Sequence, residues 1–337
     1  MIQSRAGRPK RIYPVWVIVC LDFTIFAAAL VVFALFHHVL PRGMTQQAID
    51  ITARPDTLTT GRVTDTDSDI TTNTSDATDA DPQIQGNTAP GDFSSVFPIE
   101  DTGANAIHSY QTDAARVAVK KLKVGEAVCY VADIWVRDIH SLRAGLAQGR
   151  VGQGVTDNVL DLAQELSAVV AVNGDYYGAR AKGVVIRNGV LYRDNTFEDV
   201  CVLYEDGVME TYSNAEFNIN TAIERKAWQA WSFGPALLDN GKAKTQFNSS
   251  VVPTNPRTAI GYYEPGHYCL VVVDGRQQGY SLGLHLKELS AFFETLGCQA
   301  AYNLDGGQSS MMTFGDVLVN QPYNNGRPSS DIIYVMP

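Results

Sequence analysis

The segment from residue 44 to residue 106 most limits how this chain can fold, because it cannot form a packed core. Its stretch Thr64–Pro82 is TDTDSDITTNTSDATDADP, in which apolar residues are few and follow no period. Such a composition buries too little apolar surface to offset the entropy of ordering the chain. We therefore predict a disordered Thr/Asp-rich linker over 44–106 and a single globular domain over 107–337.

An almost wholly apolar run precedes the linker and extends from Val15 to Phe36. About 20 such residues span a bilayer as a helix, whereas the apolar core of a cleaved signal peptide has about 7–15 residues. Basic residues are concentrated before the run, at Arg5, Arg8, Lys10 and Arg11. By the positive-inside rule, the sequence predicts a cytoplasmic N-terminus and transmembrane anchor over 1–43, with the C-terminal domain extracellular.

The acidity of the chain is concentrated in the linker rather than in the domain. Residues 44–106 contain eleven acidic and two basic residues, in a chain whose net charge is −10. The sequence has no basic stripe with interleaved aromatic residues, which argues against a nucleic-acid partner.

The domain contains four of the five cysteines, which are Cys129, Cys201, Cys269 and Cys298. An even number outside the cell permits disulfides. Three of them lie in strand-like sequence, which is equally typical of buried free thiols, so the pairing stays open. The absence of a CxxC pair argues against a zinc site.

The domain sequence predicts many short strands and few helices. Turn signals such as Asn188-Gly189 and Asp206-Gly207 separate the strands. Helical spacing of apolar residues predicts helices over Val155–Leu166, capped by Thr156 or Asp157, and over Leu286–Leu296. Strands and helices without regular alternation favour an α+β fold with a mixed sheet. The predicted strands are Ala115–Lys123, Ala127–Arg137, Ala168–Asn173, Gly183–Arg187, Val200–Leu203, Ala259–Tyr263, His267–Asp274, Ala300–Leu304, Met311–Phe314 and Val317–Asn320.

The stretch Ala300–Met312, AAYNLDGGQSSMM, is the first candidate for chemistry. It places an amide, a carboxylate and two hydroxyls around a Gly-Gly turn at the end of one strand, and successive N–H groups in such a turn can bind an anion. A tight turn capped by Asp and Ser is the structural alternative. The residues concerned are Asn303, Asp305, Gly306, Gly307, Ser309 and Ser310.

Other strand ends carry polar groups of the same character. Asn173 and Asp175 lie in AVNGDYYG, Arg257 in NPRTAIGY, Asp274 in VVVDGR and Arg327 in GRPSSD. Side chains at strand ends reach clefts, and arginine binds phosphate or carboxylate with a planar fork. We expect these ends to converge on a polar pocket for an anionic sugar compound. His285 is interpreted as a helix-start residue rather than a base.

The order of these motifs resembles the phosphodiester glycosidase domain family, the family of the N-acetylglucosamine-1-phosphodiester alpha-N-acetylglucosaminidase catalytic domain and of bacterial exopolysaccharide biosynthesis proteins. The resemblance covers roughly 155–337. The motifs are NGDYYG, WSFGPALLDNGK, NPRTAIGY, VVVDGRQ, YSLGLHLKELSAFFETLG, YNLDGGQSS and GRPSSD.

The resemblance implies a hydrolase that cleaves sugar-1-phosphodiester bonds, with glycans of the cell wall or of exopolysaccharide as expected substrates. It implies catalytic roles for Asp305, Asp175, Asn173, Asn303 and Asp274. It implies substrate binding by Arg257, Gly234, Gly306, Gly307, Ser309, Ser310 and Arg327. In this interpretation the arginines and the Gly306-Gly307 amides hold the departing phosphate.

Three departures from the family pattern leave the substrate open: Gln308 replaces a third glycine, His285 replaces a capping threonine, and GRPSSD differs from the commoner RPVSNA. A divalent cation held by Asp175, Asp274 or Asp305 is not required by the sequence. A non-catalytic glycan-binding module on the same fold is the alternative function. The presence of both Asp175 and Asp305 favours the enzyme.

Overall fold

The structure, a computed structural model of the chain, describes residues 14–34, 42–43, 48–52, 91–98 and 105–337. The chain divides into two compact units, Met1–Arg42 and Gly43–Pro337. The α-helices of the described residues are α1 (Val15–Ala34), α2 (Val159–Glu165), α3 (Ile219–Glu224) and α4 (Leu286–Leu296).

The strands follow in chain order. They are β1 (Arg42–Gly43), β2 (Ile49–Asp50), β3 (His108–Gln111), β4 (Ala115–Val124), β5 (Ala127–Val136), β6 (Leu142–Leu146), β7 (Gly152–Gln153), β8 (Val170–Asn173), β9 (Val185–Arg187), β10 (Val190–Arg193), β11 (Val200–Tyr204), β12 (Met209–Tyr212), β13 (Ala227–Trp231), β14 (Leu238–Asp239), β15 (Lys242–Ala243), β16 (Arg257–Glu264), β17 (His267–Val273), β18 (Ala300–Asn303), β19 (Met312–Phe314), β20 (Val317–Leu318) and β21 (Asp331–Val335).

Helix α1 covers most of the apolar run, and several of its large side chains are exposed, including Trp16, Phe23 and Phe26. Among the described helices, none was found to meet the combined length and hydropathy criteria for a membrane span. The basic residues before the run lie outside the described residues. The anchor over 1–43 therefore stays a prediction.

Two short pieces of the chain within 44–106 pack against the domain. Strand β2 pairs antiparallel with β10, with Ile49 opposite Leu191. Farther along, the side chains of Phe93 and Phe97 are buried. Phe93 lies against Gly207 and Gly266, where a Cβ would come within 2.3 and 2.7 Å of its ring and side chain. The stretch Thr64–Pro82 lies outside the described residues.

The domain is built on three larger sheets. Their strand orders are β12-β11-β13-β9-β10-β2, β18-β16-β17-β5-β4-β3 and β20-β19-β8-β21-β6. Each strand pair within them is antiparallel. The prediction of a sheet-rich domain with few helices is confirmed. The mixed sheet expected from the sequence is not found among these three sheets, whose described strand pairs are antiparallel.

One hydrophobic core joins the three sheets and fixes where their strands end. It contains Ile134 of β5, Val172 of β8, Leu203 of β11 and Trp231 of β13. Strands β8 and β18 are apolar until they end at Asn173 and Asn303, where polar residues follow. The C-terminal ends of β8 and β18 and the start of β16 consequently carry the groups of the candidate site.

Helix α4 has the predicted bounds, because its ends are encoded locally. His285 begins it as the N-cap: its side chain accepts from the Lys287 N–H, and the Glu288 carboxylate accepts from the His285 N–H in return. Gly297 ends it with a left-handed φ of +85°. The interpretation of His285 as a helix-start residue is confirmed.

Helix α2 begins later than predicted. The N-cap is Asn158, whose side-chain oxygen accepts from the N–H groups of Leu160 and Asp161. The preceding residues are extended, and Asp157 forms a β-bridge with Ser329. The apolar side chain of Val155, which suggested the earlier start, is buried without being helical.

The four cysteines of the domain are buried free thiols. Burial raises the pKa of Cys129 to about 12 and raises the pKa values of Cys201 and Cys269 as well. The sulfurs of Cys269 and Cys298 lie 3.8 Å apart. Of the two alternatives left open by the sequence, the structure therefore has the thiols.

Candidate active site

The ends of β8, β16 and β18 meet at Asn173, which is fully buried. Its side-chain oxygen accepts from Thr258 Oγ1 at 2.7 Å and from the Met311 N–H at 3.2 Å. Its Nδ2 donates to the backbone carbonyl of Asp305 at 2.6 Å. Asn173 is thus a positioning residue that ties the Asp305 turn to two strands.

Asp305 is held at the mouth of this junction by a serine and an arginine. Ser309 Oγ donates to its Oδ2 at 2.7 Å, and Arg327 Nη2 donates to the same oxygen at 2.9 Å. Arg327 Nε also donates to Ser309 Oγ at 2.5 Å. Burial raises the pKa of Asp305, and these two partners oppose the shift. The carboxylate is oriented through Oδ2, while Oδ1 has only a 3.3 Å contact with Arg327 Nη2.

The carboxylate of Asp175 has more hydrogen-bond and ion-pair partners than the carboxylate of Asp305. Its Oδ1 accepts from the Tyr176 N–H at 2.6 Å and from Arg180 Nη2 at 3.3 Å. Its Oδ2 accepts from the Ser232 N–H at 2.9 Å and lies 3.7 Å from Arg187 Nη2. This set of donors holds the Asp175 carboxylate in a fixed orientation.

A buried ion pair supports Asp175 from behind. Arg187 Nε donates to Asp331 Oδ2 at 2.6 Å, and Asp331 Oδ1 accepts from the Asp175 N–H at 2.8 Å. Burial raises the pKa of Asp331 to about 6, while the charge of Arg187 opposes the rise. Burial would lower the pKa of Arg187, but the charges of Asp331 and Asp175 raise it. A Cβ at Gly174 would lie 2.3 Å from Asp331 Oδ1, so this approach requires glycine.

Two cavities adjoin at Asp305 and Arg327, which line both. The first, the arginine cavity, has a volume of about 200 Å³. The second, the Asp175 cavity, has a volume of about 210 Å³. The arginine cavity is also lined by Arg257, Arg276, Asn255, Gly306, Gly307 and Phe233. The Asp175 cavity is also lined by Asp175, Tyr176, Thr156, Gly178, Ser329 and Ser330.

Asp175, Arg257, Asp305 and Arg327, which the sequence placed in one pocket, thus line these adjoining cavities. The anion-binding turn is only partly as expected. Gly306 and Gly307 line the arginine cavity, but the Gly307 N–H donates to the Pro256 carbonyl at 3.0 Å. That amide is therefore engaged by the protein rather than free for a phosphate.

Four other predicted residues lie beneath the site rather than along its walls. Asn303 Nδ2 donates to the Gly234 carbonyl at 2.8 Å, and both residues pack behind the strand ends. Ser309 and Ser310 are fully buried. The substrate-binding roles of Gly234, Ser309 and Ser310 stay predictions, and in the structure Ser309 orients Asp305.

Asp274 is not brought to the cavities. Its carboxylate accepts from Asn320 Nδ2 at 2.7 Å, from Tyr280 OH at 2.8 Å and from the Gln321 N–H at 3.0 Å. These bonds join the end of β17 to the segment after β20. Asp274 holds two segments together in the structure, contrary to its grouping with Asp175 and Asp305.

The structure of the described residues also bears on the hypothesis that Asp175, Asp274 or Asp305 holds a divalent cation. Within them, no group of three or more His, Cys, Asp or Glu side chains is arranged to hold a metal ion. Asp175 and Asp305 instead have arginine partners, and Asp274 lies elsewhere.

Sequence reasoning missed Arg187, Asp331, Arg180, Asn255 and Arg276. Signals for three of them were present in the motifs, since Asp331 closes GRPSSD, Arg276 closes VVVDGR and Asn255 opens NPRTAIGY. Arg187 was a single arginine in an apolar strand. Nothing local to it indicated a partner 144 residues away.

Comparison with known proteins identifies the family. A family model described as phosphodiester glycosidase matches residues 167–336, about half of the chain. The chain therefore belongs to the phosphodiester glycosidase family, as its motifs predicted.

One curated relative is the SPbeta prophage-derived uncharacterized protein YomE of Bacillus subtilis (strain 168). It is 31% identical over 174 residues, a match that covers 49% of this chain and 27% of the relative. The match thus spans about a quarter of that relative's length.

Two solved structures share the fold. The zebrafish N-acetylglucosamine-1-phosphodiester alpha-N-acetylglucosaminidase catalytic domain, auto-inhibited by its pro-peptide, matches with a TM-score of 0.53 and 19% identity, covering 74% of this chain and 96% of that one. A hypothetical protein from Synechocystis matches with a TM-score of 0.53 and 14% identity, covering 69% and 64%. At these identities the likeness concerns the fold alone.

Proposed function

We propose that this protein hydrolyses sugar-1-phosphodiester bonds and releases a free sugar and a phosphomonoester. The observation that carries the proposal is the position of Asp305, a buried carboxylate lining both the arginine cavity and the Asp175 cavity. A substrate bound across that junction would present its anomeric carbon to Asp305. Its negatively charged phosphate would lie toward the arginines.

The chemistry assigned to Asp305 follows from its less tightly bound oxygen, Oδ1, and from its neighbours. In its ionised form, Asp305 accepts a proton from a water molecule that attacks the anomeric carbon. The bond from that carbon to the phosphate oxygen breaks, and its electron pair stays on the phosphate. No acid is needed for departure, because a phosphate monoester is a stable leaving anion. Arg257 and Arg327 stabilise the charge that develops there.

The Asp175 cavity suits the sugar half. The carboxylate of Asp175 would stabilise positive character at the anomeric carbon as the bond breaks. Tyr176, which is 38% exposed, offers a ring face at the cavity. The hydroxyls of Thr156, Ser329 and Ser330 also belong to residues lining it.

Incubation of the purified protein with an N-acetylglucosamine-1-phosphodiester tests the proposal. We expect equal amounts of free sugar and phosphomonoester to appear, whereas a neutral alkyl glycoside of the same sugar should be left intact. Binding of the diester without release of either product would instead support the glycan-binding module. Appearance of the sugar on an added acceptor alcohol, without free sugar, would support a transferase.

We further propose, from the apolar run and the basic residues before it, that the protein is a single-pass membrane protein with its domain outside the cell. Cell-wall or exopolysaccharide glycans would then be its natural substrates. A membrane-impermeant amine reagent applied to intact cells should label Lys242, whose side chain is 82% exposed. Labelling of that lysine only after cell lysis would contradict the proposed orientation.

A further inference from the structure

Two arginines that line the arginine cavity, the buried Arg257 and the exposed Arg276, form no ion pair with a carboxylate of the described residues. Arg257 is 2% exposed, and its Nε donates to the Leu284 carbonyl at 2.9 Å. Arg276 donates through Nε and Nη2 to Asn255 Oδ1 at 3.1 and 2.8 Å. In the part of the chain that the structure describes, neither guanidinium has an Asp or Glu within ion-pairing distance, unlike Arg180, Arg187, Arg225 and Arg327.

This arrangement is electrostatically costly unless an anion occupies the cavity. Burial lowers the pKa of Arg257 to about 10, and the nearby positive charge of Arg276 adds to the decrease. A buried charge requires a counter-charge to offset the loss of its hydration. The hydrogen-bond partners of Arg257 are the neutral backbone carbonyls of Leu284, Val252 and Pro253. The carboxylate that lines the cavity, Asp305, is paired with Arg327. A bound anion would supply the missing counter-charge.

The backbone conformation of Arg276 and the contacts of its side chain orient this residue in the arginine cavity. The residue has a φ of +58°, a left-handed conformation that is uncommon for a side chain of this size. Gly307 also has a positive φ, and a Cβ placed there would come within 3.2 Å of Arg276 Nη2. The Asn255 amide and the ring of Tyr323, 5.6 Å from the guanidinium carbon, fix the direction of the arginine.

The size of the arginine cavity limits which ligands it can hold. Pockets that hold a whole drug-sized ligand have volumes of roughly 300–1,000 Å³, whereas the arginine cavity has about 200 Å³. A phosphate group with a few attached atoms fits this description better than an extended glycan. The Nε and Nη2 atoms of both arginines donate to protein oxygens, which leaves Nη1 of each arginine to donate to a phosphate oxygen.

We propose that Arg276, oriented by Asn255, joins Arg257 in a subsite for the phosphate half of the substrate and sets the preference for phosphodiesters over neutral glycosides. This inference rests on the proposed function for its substrate, and it assigns the leaving side of the molecule to the arginine cavity. The sugar then lies on the Asp175 side. The phosphomonoester product and inorganic phosphate are expected to bind in the same subsite and to inhibit the enzyme.

Binding of inorganic phosphate, measured by titration calorimetry in the absence of any diester, tests the subsite directly. We expect Arg276→Met to weaken phosphate binding by about tenfold or more, as loss of a charge-assisted contact would. Arg276→Lys should restore part of the binding, and Asn255→Ala should weaken it less than Arg276→Met does. The matched control is Arg137→Met, since Arg137 is an exposed arginine over the ring of Phe97, at 4.9 Å, away from both cavities.

Turnover separates this inference from the proposed function. If the function is correct, Arg276→Met should raise KM for the diester and relieve inhibition by phosphate, while inhibition by the free sugar stays unchanged. Hydrolysis with phosphate binding unaltered by Arg276→Met would overturn the subsite and leave the function standing. Arg276-dependent phosphate binding without any hydrolysis would uphold the subsite and refute the function. Failure of the wild-type protein to bind phosphate would overturn the subsite.

Discussion

Replacement of Asp305 by Asn is expected to lower kcat/KM for a sugar-1-phosphodiester by about 10³-fold, within the range of general acid–base contributions. The variant keeps the size of the side chain and an oxygen for Ser309 and Arg327, so the fold should be retained. It removes the basic oxygen that would accept the proton from water. Initial rates over a range of substrate concentrations, with circular dichroism as the check on folding, measure the effect.

The pH dependence provides an independent signature of the same residue. Because burial raises the pKa of Asp305 above the ordinary 3.8, activity of the wild-type enzyme should increase as pH rises through that higher value. The small residual activity of Asp305→Asn should lack this limb. Asp133→Asn, which changes a carboxylate bonded to His267 at 2.7 Å, is the matched control and should keep wild-type rates. Equal rates for Asp305→Asn and wild type would refute the assignment.

Replacement of Arg187 by Met is expected to destabilise the domain by about 3–5 kcal/mol, the typical cost of breaking a buried ion pair from one side. The substitution leaves Asp331 fully buried without its cation and removes a positive neighbour of Asp175. Urea unfolding followed by tryptophan fluorescence measures the change. The control is Lys242→Met, at an exposed pair with Glu294, where less than about 1 kcal/mol is expected.

The sign of the pH effect on stability follows from Asp331. Its pKa is raised to about 6 in the folded protein from 3.8, so the folded state binds its proton more tightly than the unfolded state does. Its contribution to stability is therefore fully present below about pH 4 and is lost as pH rises through about 6. Without Arg187 the ionised carboxylate is costlier still, so Arg187→Met should be more harmful at pH 7 than at pH 5. An unfolding midpoint unchanged at pH 7 would contradict this account.

The parts of the fold that were predictable carry their signals within a few residues. Helix α4 has an apolar face, a capping box at His285 and a glycine at 297. Strand β13, in contrast, has all five residues buried, including Gln229. Its sequence AWQAW has no β-branched residue, whereas the fully buried strand β11, which was predicted, has the sequence VCVLY. Strand β13 went unpredicted for that reason.

The site was predictable to the extent that strand ends deliver polar residues to a common edge. That rule correctly brought Asp175, Arg257 and Asp305 together. The rule failed for Asp274. The position of a residue at the end of a strand does not determine which way its side chain points, and this carboxylate accepts a hydrogen bond from Asn320 instead of lining the cavities. The rule could not find the pairing of Arg187 with Asp331, since a contact between distant strands depends on the whole topology.

Strand β2 has a consequence for anyone who shortens this chain. It forms the outermost strand of its sheet, beyond β10. Composition would suggest a fragment that begins at residue 107. In such a fragment the backbone N–H and C=O groups of β10 that pair with β2 would be exposed. The fragment would also lack Phe93, whose ring packs against Gly207 and Gly266. Bared strand edges are templates for self-association. Insolubility of such a fragment would thus reflect a missing edge rather than an unstable domain.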